Sequence, residues 1–147
     1  MEYAENYGAD WRTEMETWLK KELNHNCFNP VKASDQFLKS HHPGIDFRNS
    51  KLNDFQKHKE IAREIVQLDS GEIILHSDYV ICYYDDSAQR GAGTKGELTV
   101  AALLAKPVYV VRGMQVSDIP SWVIGCVSEM FVNFEELKIF LGKKYSG

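Results

Sequence analysis

The chain reads as a single α/β domain with an open parallel sheet, on three observations. Helical spacing of apolar residues dominates up to about residue 78, after which short apolar runs alternate with helical stretches. Two of those runs, Tyr79 to Tyr84 and Val108 to Val111, are continuously apolar and β-rich, as strands buried on both faces are. The length of 147 residues, with 44% hydrophobic and 26% charged side chains, suits one globular domain with a sizeable core.

The elements follow in order. Trp11, Met15, Trp18, Leu19 and Leu23 fall at helical spacing and predict an amphipathic helix ending near Asn24. Cys27-Phe28 is a short strand candidate running into Asn29-Pro30, and residues 39–50, with Pro43-Gly44, read as a loop. Leu52, Phe55, Ile61, Ala62, Ile65, Val66 and Leu68 predict a long helix broken at Asp69-Ser70-Gly71, with a short helix or turn through Ile73, Ile74 and Leu75. The strand at Tyr79 leads into a loop from Asp85 to Gly93, a helix from Lys95 to about Ala105, and the strand at Val108. A helix around Ser121 to Val127, a strand at Met130 to Val132 and a last helix N-capped by Asn133 complete the chain. This alternation implies right-handed crossovers and a flavodoxin-like, doubly wound, three-layer arrangement. Ligands bind beyond the carboxyl ends of such strands, which directs attention to the segment after Tyr84.

Composition narrows the function. With 17 basic and 21 acidic residues the formal charge is −4, so no overall field draws the chain to nucleic-acid polymers or anionic membranes, and a small polar ligand is the better partner. Cys27, Cys82 and Cys126 are odd in number and lack a CxxC pair, which argues against a disulfide framework or zinc site and fits a reduced, cytoplasmic setting. No apolar run approaches the length of a membrane span, and the acidic start MEYAENYGADW has neither the basic nor the apolar region of a signal peptide. The adjacent His41 and His42 read as solvated loop residues, and Trp11 and Trp18 as core.

Gly91-Ala-Gly93-Thr-Lys-Gly96 matches GxGxxG, but no acidic residue closes the next strand, where Arg112 stands, and too little chain remains for a dinucleotide fold. The order Thr94-Lys95 also excludes a P-loop. Two readings of Glu97 stay open. Thr94-Lys-Gly-Glu97 has the form of a capping box. Alternatively, Gly91 and Gly93 let backbone approach a ligand while Glu97 points its carboxylate into the same cleft. Asp69 is a second carboxylate candidate, with its own bland alternative as an N-cap followed by Glu72. Two carboxylates converging on one pocket suit glycosidic chemistry.

The stretches Ser77-Asp78-Tyr-Val-Ile-Cys82, Gly91 to Leu98, Ala101-Ala102 and Lys106-Pro107-Val-Tyr-Val110, with Trp11-Arg12 and Phe28-Asn29-Pro30-Val31, resemble the nucleoside 2-deoxyribosyltransferase-like family. The resemblance covers nearly the whole chain, read as one such domain over 1–147. It implies that Glu97 is the nucleophile and Asp69 works beside it. The implied reaction is cleavage of the N-glycosidic bond of a 2′-deoxynucleoside through a covalent Glu97 intermediate, with transfer of the sugar to another base. It needs no metal or redox cofactor. Family members usually begin with a strand placed before the segment matching Met1 to Trp11, and this chain starts after it. Candidate substrate contacts are Gly91, Gly93, Thr94 and Asn29, with Asp85 or Asp86 substituting for the base-reading aspartate in whose place this chain has Gly91. Arg12 reads either as a solvated or paired helix residue or as a 5′-phosphate ligand. The expected partner is a nucleoside or nucleotide, and the expected assembly a homo-oligomer. The alternatives are a nucleoside 5′-monophosphate N-glycosidase with water as acceptor, and a nucleotide-binding module with an incomplete catalytic apparatus.

Overall fold

The computed structural model describes residues 9–146, so the leading segment MEYAENYG lies outside the described residues. Three parallel strands, β1 (Val80–Tyr84), β2 (Val108–Arg112) and β3 (Glu129–Phe131), form an open sheet in the order β1-β2-β3. Val80 pairs with Val108 and Tyr84 with Arg112, and Tyr109 pairs with Glu129. Around the sheet lie α1 (Ala9–Leu23), α2 (Pro30–His41), α3 (Phe47–Asn53), α4 (Phe55–His76), α5 (Asp86–Arg90), α6 (Ala92–Leu103), α7 (Ser121–Cys126) and α8 (Phe134–Tyr145).

Strand alternation sorts the core into two layers. Val80, Cys82, Tyr84, Val108 and Val110 face Ile73 of α4, Ala88 of α5, Leu98 and Ala101 of α6 and Val123 of α7. Ile81, Tyr83, Tyr109, Val111 and Phe131 face Met15 and Leu19 of α1 and Leu137 and Leu141 of α8. The architecture is therefore α/β/α, a three-stranded parallel open sheet flanked by helices in a flavodoxin-like arrangement. No helix among the described residues is long and apolar enough to cross a membrane.

Several local expectations are corrected. Cys27-Phe28 is not a strand: it belongs to a coil between α1 and α2, with no described strand beside it to pair. Asn29-Pro30 instead opens α2, since Pro at the first helical position has no N–H to lose and Asn29 accepts from the next two free N–H groups. The expected loop over 39–50 is partly helical, shared between α2 and α3. The long helix does not break at Asp69-Ser70-Gly71; α4 runs through all three residues. One helical glycine costs about 1 kcal/mol, less than the roughly 1.5–3 kcal/mol gained by keeping Ile73 in register with the core. The loop expected from Asp85 to Gly93 is mostly α5 and the start of α6.

Two helix ends position the site. Asn24, at φ 54°, ends α1 with its N–H on the Lys20 carbonyl, while the His25 N–H reaches the Leu19 carbonyl. Lys106 Nζ donates to the carbonyl oxygens of Ser77 (2.6 Å) and Ile74 (3.2 Å), closing the end of α4 where it turns into β1. The Val80 N–H donates to the Pro107 carbonyl and the Gly113 N–H to the Tyr84 carbonyl. By alternation the peptide groups of Ile81 and Tyr83 face the other edge of β1, where no described strand pairs.

Gly113 sits where nothing larger fits: a Cβ there would lie 2.6 Å from the Tyr83 hydroxyl oxygen and 2.9 Å from Asp85 Cβ. Tyr83 has little freedom to yield, since its ring packs against Trp11 and Phe134. Gly113→Ala should therefore destabilise by about 1–3 kcal/mol in urea unfolding. Gly142→Ala, in an open position on α8, should be neutral or stabilise by up to about 1 kcal/mol.

Candidate active site

The approach to Glu97 starts at the end of β1. Asp85 caps α5, its carboxylate accepting the Ala88 N–H at 2.9 Å. Gly91 then serves two helices: its N–H closes α5 on the Ser87 carbonyl, and it is the N-cap of α6, without a side chain to cap with. Helix α6 therefore starts at Ala92, three residues earlier than a Thr94 cap would place it. Thr94 is its third residue and Glu97 its sixth, so the capping-box account of Glu97 is wrong. The same holds for Asp69, which lies inside α4 and not at a helix start. Neither carboxylate caps a helix.

Both open on one cleft of about 710 Å³ that runs along the edge of β1 where no described strand pairs. Arg12 and Trp11 of α1, Asn29, Asp69 of α4, and Thr94 and Glu97 of α6 line it. Asp69 lies seven residues before the end of α4, about 10 Å back along the helix from the start of β1. That brings it alongside β1, whose Ile81 and Cys82 line the same cleft as Glu97, so the cleft lies beside the strand and not beyond its carboxyl end. Helices α4 and α6 pack side by side, and the two carboxylates face each other's charge across that seam.

The electrostatics follow from this placement. Burial pushes Glu97 up to about 7, with the Asp69 carboxylate adding to the rise and the Arg12 guanidinium opposing it. Burial likewise raises Asp69 to about 6, again opposed by Arg12. Asp69 Oδ1 is buried without a hydrogen-bond partner. Arg12 is itself lowered by burial and held charged chiefly by Glu97. Cys82, buried on the cleft floor, is pushed up to about 12 by burial and Glu97, so its thiol stays neutral. Near neutral pH the two carboxyls keep about one proton, held mainly by Glu97, the higher of the two, in the free protein.

The other candidates divide. Arg12, Asn29 and Thr94 reach the cleft with the carboxylates. Asp85, Gly91 and Gly93 do not line it: Asp85 is committed to its cap, and a Cβ on Gly93 would meet nothing within 4 Å. Trp11, read from sequence as core, does pack against Tyr83 and Phe134 but also walls the cleft, with its buried Nε1 unpartnered. Its position beside Arg12 at the helix start is the signal that could have marked it. His41 ends α2, and His42 pairs with Glu64 at 3.2 Å, so the two histidines do not converge. Among the described residues no cluster of three metal-ligating side chains occurs.

No protein-family model, curated protein or solved structure matches the chain.

The raised Glu97 fixes a sign for stability. A carboxyl whose folded pKa lies above its unfolded value favours the fold below the unfolded pKa, and that advantage is lost as pH rises through the folded one. The window runs from about 4.5 to about 7. Glu97→Gln should thus match the parent in thermal unfolding at pH 4 and be more stable than it at pH 8. Equal stability at both pH values would place Glu97 in a solvated setting.

Proposed function

We propose that the chain cleaves the N-glycosidic bond of a 2′-deoxynucleoside and transfers the deoxyribosyl group to another base. The observation carrying this proposal is that Asp69 and Glu97, from different helices and free of capping duties, open on one cleft. The resemblance of the segment from Gly91 to Leu98 to nucleoside 2-deoxyribosyltransferases supports the same assignment.

In the proposed reaction the ionised Glu97 carboxylate bonds to C1′ as the bond to the base nitrogen breaks, through an oxocarbenium-like transition state. The bonding electrons leave with the base, and the proton carried by Asp69 neutralises it. The glycosyl ester on Glu97 is then attacked at C1′ by the nitrogen of an incoming base, whose proton returns to Asp69. Arg12 favours the ionised form of both carboxyls, and the positive charge developing on the sugar beside Glu97 moves the shared proton from Glu97 to Asp69, where the departing base takes it up. A 2′-deoxy sugar lacks the electron-withdrawing hydroxyl that would oppose this cation.

A second reading, hydrolysis of a nucleoside 5′-monophosphate with water as acceptor, is favoured by one observation: Arg12 lies on the same cleft and could pair with a phosphate. We place the protein in the cytoplasm, where its free thiols Cys27, Cys82 and Cys126 stay reduced, and expect a homo-oligomer.

Incubation of adenine with thymidine or with thymidine 5′-monophosphate, followed by chromatography, separates the two readings. Transfer from thymidine yields 2′-deoxyadenosine and thymine; hydrolysis releases thymine and 2-deoxyribose 5-phosphate from the monophosphate at a rate indifferent to added base. Glu97→Ala should lower either activity on the order of 10³-fold or more, and survival of turnover would remove Glu97 as nucleophile. Asp69→Asn should slow the reaction by about 10²–10⁴-fold. It should also move the rising limb of the pH profile to lower pH, because Glu97 loses the neighbouring charge that raises it.

A further inference from the structure

Asn29 is only 8% exposed, and its side chain is used on one side alone. Its Oδ1 accepts the N–H groups of Val31 (3.1 Å) and Lys32 (3.3 Å) at the start of α2. That contact fixes the orientation of the amide, since a flipped group would set its NH₂ against two backbone donors. The Nδ2 that remains is buried, has no partner, and belongs to a residue on the wall of the cleft that holds Asp69 and Glu97. A buried donor without an acceptor is costly enough that folded chains rarely leave one.

Placement along the cleft supports a role in binding. The coil leading to Asn29 begins at His25, whose Nδ1 lies 2.6 Å from the Tyr79 hydroxyl at the amino end of β1. Lys32, one turn into α2, pairs with Glu16 at 3.4 Å, and Glu16 is one turn from Arg12 on α1. Asn29 thus lies toward the end of the cleft where Arg12 meets the carboxylates. The second unpartnered donor on this wall is Trp11 Nε1. Two residues lining the cleft thus carry buried N–H donors without acceptors.

We infer that Asn29 is a substrate-specificity residue, its Nδ2 donating a hydrogen bond to an acceptor atom of the bound nucleoside, either a base carbonyl or ring nitrogen or a sugar hydroxyl oxygen. The inference rests on the proposed glycosidic function of the cleft. Being locked by its cap, the amide can only donate at this point, so the ligand must present an acceptor there.

Asn29→Asp tests this. Aspartate caps a helix as well as asparagine does, so α2 keeps its start while the donor is lost; Asn29→Ser, also a good cap, serves as the second variant. Both variants should remain folded, and Asn29→Ser, which adds no charge beside the carboxylates, should bind 2′-deoxyinosine about 10–100-fold more weakly by calorimetry. Purine 2′-deoxyriboside, which lacks the base carbonyl, 7-deaza-2′-deoxyinosine and 3-deaza-2′-deoxyinosine, which each lack one ring nitrogen acceptor, and 2′,3′- and 2′,5′-dideoxyinosine, which lack the 3′- and the 5′-hydroxyl, identify the acceptor. The analogue that weakens binding to the parent but loses nothing further in Asn29→Ser lacks the atom that Asn29 contacts. If the stably folded variants bind 2′-deoxyinosine within twofold of the parent, the assignment of Asn29 is wrong while the cleft keeps its function. If the parent itself binds no nucleoside, the glycosidic function falls and this inference with it.

Discussion

The parallel ladder between β1 and β2 is the constraint from which the rest of the molecule is built. Five paired positions fix two strands whose side chains alternate strictly between the layers, and Tyr84, Val108 and Val110 are wholly enclosed. Once β1 is held, α4 must end at its start, where Lys106 closes the last carbonyls, and α6 must begin beyond its end. The two helices then run side by side in the direction opposite to the strand. Asp69 and Glu97 meet across that seam because the ladder sets the level of both helices.

What those carboxylates can do depends on the low polarity of their surroundings. In water two such groups would both ionise well below neutral pH and neither would hold a proton for a leaving group. Here burial raises both, the Asp69 charge raises Glu97 further, and Arg12 keeps the rise moderate. The arrangement is costly to the fold, as an uncapped, unpartnered carboxylate oxygen inside α4 shows. Strain of this kind, kept where a cleft opens, is the physical basis for reading the seam as a reactive site.

The legible parts of the sequence were those governed by burial. The apolar runs at Tyr79 and Val108 showed parallel strands, and the spacing from Trp11 to Leu23 showed α1 with its end at Asn24. Local capping patterns were less dependable. Thr94 with Glu97, and Asp69 with Glu72, have the residue types of capping boxes, yet neither is one. Packing of Ile73 and Leu98 against the sheet carries their helices past the points where the local signals would start or stop them. Cys27-Phe28 has strand-like residues, but pairing is a property of a neighbour that local sequence does not display. Of the site, Asp69, Glu97, Arg12, Asn29 and Thr94 were named from sequence and share the cleft, whereas Asp85, Gly91 and Gly93 stand apart from it. Asp85 was hardest to read, since a cap and a ligand contact call for the same side chain.

The central claim is that Asp69 and Glu97 are buried together and feel each other's charge. Carbon-13 NMR titration of carboxyl-labelled protein measures this directly, in the parent and in the Asp69→Asn variant. The account predicts that Glu97 titrates near 7 in the parent and moves down when Asp69 is replaced. Two carboxyls titrating independently at about 4, the ordinary range for such groups, with Glu97 unmoved by the substitution, would contradict it.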